Sequence, residues 1–185
     1  MEGAVHATRR FVEDMQRDTV LDKLAFSNAF NTLRRDIMLE AVARYIPELY
    51  AFAYANYSQA TQLKFNDYII MSAEGPQQGD PLSALLFCLA LQSLLRELAA
   101  SLRVRYLDDV TLGGAPLIIA SDVELIKDKA KQYGLTLNIS KCRLITENSK
   151  KFSDIEAFKD FRLIRLEDMT LLGAPVIGSQ AMEVI

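Results

Sequence analysis

The sequence predicts an α+β fold, and three observations carry that prediction. Short β-leaning apolar runs recur at residues 19–26, 102–106, 109–113 and 142–146. Runs with helical apolar spacing, 82–99 and 121–133, alternate with them. Half of the 185 residues are apolar, which suits one domain with a sizeable core, or one domain plus a small lobe. With residues 30–75 set aside as an insertion, the order is strand, helix, strand, strand, helix, strand. That βαββαβ order is the split βαβ of ferredoxin-like sheets, which predicts an antiparallel sheet with helices on one face.

The elements follow in order. Residues 3–17 read as a helix, with Val5, Phe11, Val12 and Met15 as its apolar stripe and Arg9, Arg10, Glu13 and Asp14 opposite. Residues 19–26 read as a strand, and 34–44 as a helix after a polar, turn-like start at Asn28. Pro47 opens a further helix to about Tyr57, as proline does in a first turn. Residues 62–65 and 68–72 are strands around an Asn66-Asp67 turn. The loop Gly75-Pro76-Gln77-Gln78-Gly79-Asp80-Pro81 leads into the 82–99 helix, with Asp80 placed as N-cap and Pro81 as first helical residue. Ser121-Asp122-Val123-Glu124 is a capping box, and Gly134 stops its helix. Beyond it lie a strand at 142–146, a short helix near 153–160, an extended 161–166 and the apolar turn Leu171 to Pro175.

Between the strands at 102–106 and 109–113 sits Tyr106-Leu107-Asp108-Asp109, two adjacent carboxylates at a hairpin tip. Asp is common in turns for local hydrogen-bonding reasons. Adjacent carboxylates also repel each other, and a hard divalent cation relieves that repulsion. In the ferredoxin-like strand order the first strand lies antiparallel to the third. Residues 24–26 then adjoin Asp108 and Asp109.

Charge and cysteine content exclude several classes. Formal net charge is −3 and the pI about 5.3, so no chain-wide basic footprint for nucleic acid exists. Cys88 and Cys142 are too few for a disulfide framework and fit a reducing compartment. With one histidine, four-ligand zinc is disfavoured. No signal peptide is visible, and the most apolar window, Leu82 to Leu91, is about half of a ~20-residue membrane span. An intracellular protein, nuclear or cytoplasmic and not secreted, is expected, with no membrane partner.

Five segments together carry a family resemblance. They are Leu24 to Asn31, Gly75 to Ser83, Arg105 to Gly114, Gly134 to Cys142 and Leu171 to Pro175. In order and spacing they resemble the palm of a reverse transcriptase, an RNA-directed DNA polymerase, and their wording looks like the non-long-terminal-repeat retrotransposon branch of mobile elements. The resemblance implies nucleotidyltransferase chemistry on an RNA template with a DNA primer and deoxynucleoside triphosphates, using two Mg²⁺ ions. It implies that Asp108 is a metal ligand with Asp109 beside it, and that Lys141 protonates the leaving pyrophosphate. Phe26, Phe30, Gln78 and Gly79 would line the nucleotide pocket, Phe30 as the gate against a 2′-hydroxyl. A core phenylalanine, a helix-entry loop and an exposed loop lysine remain alternative readings of Phe30, Gln78-Gly79 and Lys141. The implied division is partial fingers at 1–18 and 45–74, palm at 19–44 and 75–165, and the start of a primer-contacting turn toward an absent thumb at 166–185.

The chain departs from the family pattern at one decisive place. The resemblance requires an Asp four residues before Ala29-Phe30, and Ala25 stands there. Asp22 is no substitute. Strand side chains alternate, so 22 and 25 face opposite sides, about 10 Å apart at ~3.3 Å per residue. Little or no polymerase activity is expected, and any Mg²⁺ binding is expected to be weakened. The chain also reads as a fragment, without upstream fingers strands, thumb or endonuclease. Lys150, Lys151, Lys159, Arg162 and Arg165 form a modest basic scatter expected to be a solvated face. The alternative function is a non-catalytic remnant that binds RNA or a protein.

Overall fold

The structure, a computed structural model, describes residues 2–15, 18–146, 152 and 154–177. Helix α1 (Glu2–Glu13) precedes strand β1 (Val20–Leu24). Helices α2 (Ala29–Thr32), α3 (Arg35–Tyr45) and α4 (Tyr50–Tyr57) follow, α4 entered through a 3-10 turn at Pro47–Leu49. Strands β2 (Thr61–Phe65) and β3 (Tyr68–Ser72) form a hairpin, and helix α5 (Ser83–Arg96) comes next. Strands β4 (Leu102–Tyr106) and β5 (Asp109–Gly114), helix α6 (Pro116–Gln132), and strands β6 (Arg143–Ile145), β7 (Arg162–Ile164), β8 (Thr170–Leu171) and β9 (Ala174–Pro175) complete the chain. Lys150, Lys151 and residues 153 and 178–185 lie outside the described residues.

Two compact units emerge. The first takes residues 1–26, 99–127 and 137–185, and the second 27–98 and 128–136. Among the described residues the first unit holds a five-stranded sheet in the order β4-β5-β1-β6-β7. Strand β1 is antiparallel to both β5 and β6, as the βαββαβ order requires. Strand β7 is the exception. It lies parallel to β6, so the sheet is mixed and the expected antiparallel sheet is corrected. The sequence marks 161–166 as extended but holds no signal for which edge it joins.

Side chains alternate along each strand, which divides the sheet into two faces. Val20, Asp22 and Leu24 share one face with Val110, Leu112 and Leu144 through the strand register. Ile119 of α6 sits at that face, where a Cβ on Gly114 would be 3.5 Å from it. Leu21, Leu102, Val104 and Ile145 point to the opposite face and form a buried cluster with Val5 of α1 and Met169, Leu171 and Val176. A Cβ on Gly113 would lie 2.7 Å from the Phe11 ring of α1, so α1 is packed hard on that face. Helices on a single face were expected; α1 covers the face opposite α6.

The second unit is built on α3 against α4 and α5. Its core includes Met38, Val42, Tyr57, Phe87, Leu91 and Leu94, none more than 1% exposed. Two helix starts differ from expectation. Helix α6 begins at Pro116, not at Ser121, so the expected capping box lies inside the helix, and the Asp122 carboxylate accepts the backbone N–H groups of Ala99 and Ala100 at 2.8–3.0 Å. Helix α5 begins at Ser83, one turn after Asp80, whose Oδ1 accepts the Leu82 N–H at 2.9 Å.

Candidate functional site

The first unit carries the paired carboxylates. Strands β4 and β5 pair up to Tyr106 and Asp109 and turn through Leu107 and Asp108. Leu107 has φ 54°, a left-handed conformation that is uncommon for a bulky residue and costs on the order of 1 kcal/mol or more. Leu24 pairs with Val110 and Lys23 with Thr111, so Ala25 lies beside Asp109, as topology predicted. Alternation puts Lys23, Ala25 and Asp109 on one face. Lys23, Ala25, Asp109, Lys141, Arg143 and Arg162 all line a cavity of about 630 Å³ there. Lys23 Nζ is 4.0 Å from Asp109 Oδ2.

The segment 137–142 fixes Ala25 from the other side. Phe26 and Leu137 form an isolated antiparallel bridge. The Asn138 N–H donates to the Ala25 carbonyl at 2.8 Å, and the Cys142 thiol lies 4.0 Å from the same oxygen. Burial pushes the Cys142 thiol up to about 11, so it stays protonated at neutral pH. Lys141 closes a 3-10 turn (Ile139–Lys141) and is exposed at the cavity rim. Phe26 belongs to the core, 4% exposed.

Asp22 has the opposite fate. It is fully buried, and neither carboxylate oxygen has a hydrogen-bond partner among the described residues. Burial raises its pKa well above the ordinary carboxylate value, and the Lys127 ammonium only partly offsets this. The sequence separates Asp22 from Ala25 by face, but nothing local reveals that Asp22 would find no partner.

The second unit holds the other predicted residues. The Phe30 ring stacks on Phe87, centroids 4.8 Å apart and 19° from parallel. Gln78 is exposed, and its Nε2 donates to Asn31 Oδ1 at 3.2 Å. Gly79 has φ +94° with open space where a Cβ would point, so the turn conformation, and not crowding, requires glycine. Gly75 is different: a Cβ there would lie 2.0 Å from the Phe30 carbonyl oxygen.

Sequence reasoning missed Arg35, which holds this loop. Its buried guanidinium donates to the carbonyls of Gly75, Ser72 and Gln59 and to the Ser72 hydroxyl, at 2.8–3.2 Å. Burial lowers its pKa. Nearby, the Tyr57 hydroxyl donates to Asp80.

Sequence reasoning also missed a cationic row. Lys23 pairs with Arg143 across β1 and β6, and Arg143 pairs with Arg162 across β6 and β7. Of the expected basic scatter, Lys159 and Arg165 are exposed and form ion pairs with Glu156 and with Glu167 and Asp168. Arg162 is exposed as well and lines the cavity.

The donor set does not fit a two-metal centre. A divalent ion at Asp109 would meet the Ala25 methyl on one side and the Lys23 ammonium within 4.0 Å of the carboxylate. Among the described residues no three His, Cys, Asp or Glu side chains are grouped to hold a metal. No helix of the described residues is long and apolar enough to cross a membrane.

No curated protein matches the sequence. Apo telomerase from Candida tropicalis matches in structure with TM-score 0.57 at 13% identity, covering 80% of this chain and 32% of that one. Telomerase from Candida albicans in complex with the TWJ fragment of telomeric RNA matches with TM-score 0.50 at 12% identity, covering 79% and 30%. At these identities the likeness shows the fold, and the chain spans about a third of either protein's length. The sequence matches the family described as "Reverse transcriptase (RNA-dependent DNA polymerase)" over residues 2–175. Nearly the whole chain is covered, and it belongs to the reverse transcriptase family.

Proposed function

We propose that the chain is a reverse transcriptase palm with part of the fingers whose two-metal centre is incomplete. In the family the activity is DNA synthesis directed by RNA. Here the expected partners are an RNA template with a DNA primer and deoxynucleoside triphosphates, and the expected cofactor is Mg²⁺. Asp108 and Asp109 remain as ligand candidates, Lys141 as the proton donor to pyrophosphate, and Phe30, Gln78 and Gly79 as pocket residues. Phe26 is the fourth residue expected in that nucleotide-binding set. The motif wording favours a non-long-terminal-repeat retrotransposon as source.

One observation carries the reading. The face of β1 that meets Asp109 presents a methyl at residue 25, and the nearest carboxylate on that strand, Asp22, is buried on the other face. Loss of a ligand to both ions costs several kcal/mol of transition-state stabilisation, on the order of a thousandfold in rate. Primer extension on an RNA template, with Mg²⁺ or Mn²⁺, tests this. The chain as it stands is expected to extend poorly and Ala25→Asp to extend at least a hundredfold faster; equal extension by both defeats the reading. A non-catalytic RNA-binding remnant is the second reading, favoured by the cationic row. Salt-dependent retention of primer–template without extension in either protein would select it.

A further inference from the structure

The β2–β3 hairpin of the second unit stands alone: among the described residues no third strand pairs with either of its edges. A two-stranded hairpin is marginal in water unless something packs on it. The register pairs Leu63 with Ile70 and Phe65 with Tyr68, so these four side chains share one face. They are 48%, 53%, 65% and 72% exposed respectively. The opposite face is mixed. Gln62 stands across from Met71 and Lys64 across from Ile69, so polar side chains keep that face hydrated. The four-residue face carries no charge. The hairpin's two charges, Lys64 and Asp67, cancel; Lys64 points to the other face and Asp67 sits in the turn. The base of the apolar face is braced. Gln77 Nε2 donates to Thr61 Oγ1 at 3.1 Å, and Arg35 Nη2 donates to Ser72 Oγ at 3.0 Å. A face held in place by its base loses little freedom on binding.

We propose that this face is a homodimer contact, on which a second copy of the chain packs face to face about a twofold axis. A twofold contact has to be self-complementary. Laid antiparallel, the bulky tip pair Phe65 and Tyr68 of one hairpin covers the smaller Leu63 and Ile70 nearer the base of the other. No charge is buried and none opposes its like, although the whole chain has a net charge of −3. The area fits a weak dimer. Four side chains of ~200 Å² each, half to three-quarters exposed, present on the order of 500 Å² per copy. Two copies then bury about 1,000 Å², near the lower bound of a specific contact and below the ~1,600 Å² of a standard one. The dimer is therefore reversible, dissociating in the micromolar range. It depends on the hairpin, and not on a metal centre or on strand synthesis.

Sedimentation velocity of the full chain, over a hundredfold range of micromolar concentrations, tests this. The parent chain should shift from monomer to dimer across the series. Phe65→Ser/Tyr68→Ser should raise the dissociation constant at least tenfold. Ile69→Ser removes a comparable exposed apolar side chain from the opposite face and should leave the constant within about twofold. All three positions are exposed, and an unchanged Tm in each variant shows that the fold is intact. Tyr68→Ser alone, at the most exposed of the four, covers the case in which the double variant unfolds, and should weaken the dimer at least threefold. A monomer at every concentration overturns the proposal and leaves the face to a different protein. A dimer that the Phe65 and Tyr68 variants leave intact overturns it too. So does one that Ile69→Ser weakens as much, because that marks general adhesion of the hairpin and not this contact.

Discussion

The two faces of β1 carry opposite errors. Toward the core, Asp22 places a carboxyl where the neighbours at its register, Leu112 and Leu144, are apolar. Toward the cavity, Ala25 places a methyl among Lys23, Asp109 and Lys141. A carboxyl in the core is costly because desolvation disfavours its charge and nothing replaces the lost water. A methyl in the cavity costs the fold little and, on the proposed reading, costs the chemistry a ligand. On the proposed reading, fold and function would fail independently along one strand: the sheet register accommodates both residues, and only the use of each face changes.

The largest stability effect is expected on the core face. Asp22→Leu removes an unpartnered buried carboxyl and should stabilise the chain by about 1–3 kcal/mol in urea unfolding at neutral pH. A loss of stability would mean that Asp22 has a partner in solution, and the contrast between the faces would break.

The pH dependence sharpens the same point. Asp22 holds its proton more tightly folded than unfolded. The folded state therefore binds more protons, and stability falls as pH rises from near the ordinary value of 3.8 through the raised folded value. The difference between the parent chain and Asp22→Asn isolates this group, because the other carboxylates cancel. It should grow in favour of the Asn variant from mildly acid to neutral pH, and a flat difference would refute the assignment.

Smaller effects belong to the cavity face. Lys23→Met should change stability by no more than about 1 kcal/mol, since its pair with Asp109 is partly exposed and long. The double variant Asp22→Leu/Ala25→Asp should equal the sum of its single variants within about 0.5 kcal/mol, as side chains on opposite faces share no partner. A larger coupling would show that the two faces communicate through the strand.

Local signals made much of this legible. The β4–β5 and β2–β3 hairpins followed from apolar runs around Leu107-Asp108 and Asn66-Asp67, because a two-residue turn is a local event. Asn66 and Leu107 both take positive φ in those turns. The adjacency of Ala25 and Asp109 followed from strand order. Tertiary demands concealed the rest. Ser121 to Glu124 looked like a helix start, yet the helix begins at Pro116 and the Asp122 carboxylate caps Ala99 and Ala100 instead. Arg35 carries no local signal of its role, because its partners lie 24 to 40 residues away. The cationic row needs the parallel β6–β7 register, which no spacing in the sequence encodes.

Mn²⁺ binding tests the central claim most directly, without requiring extension. Electron paramagnetic resonance titration of the parent chain and of Ala25→Asp reports how many ions bind and how tightly. The account predicts weak binding by the parent, with affinity raised at least tenfold when a carboxylate faces Asp109 from position 25. Tight binding of two ions by the parent, unchanged in Ala25→Asp, would contradict it.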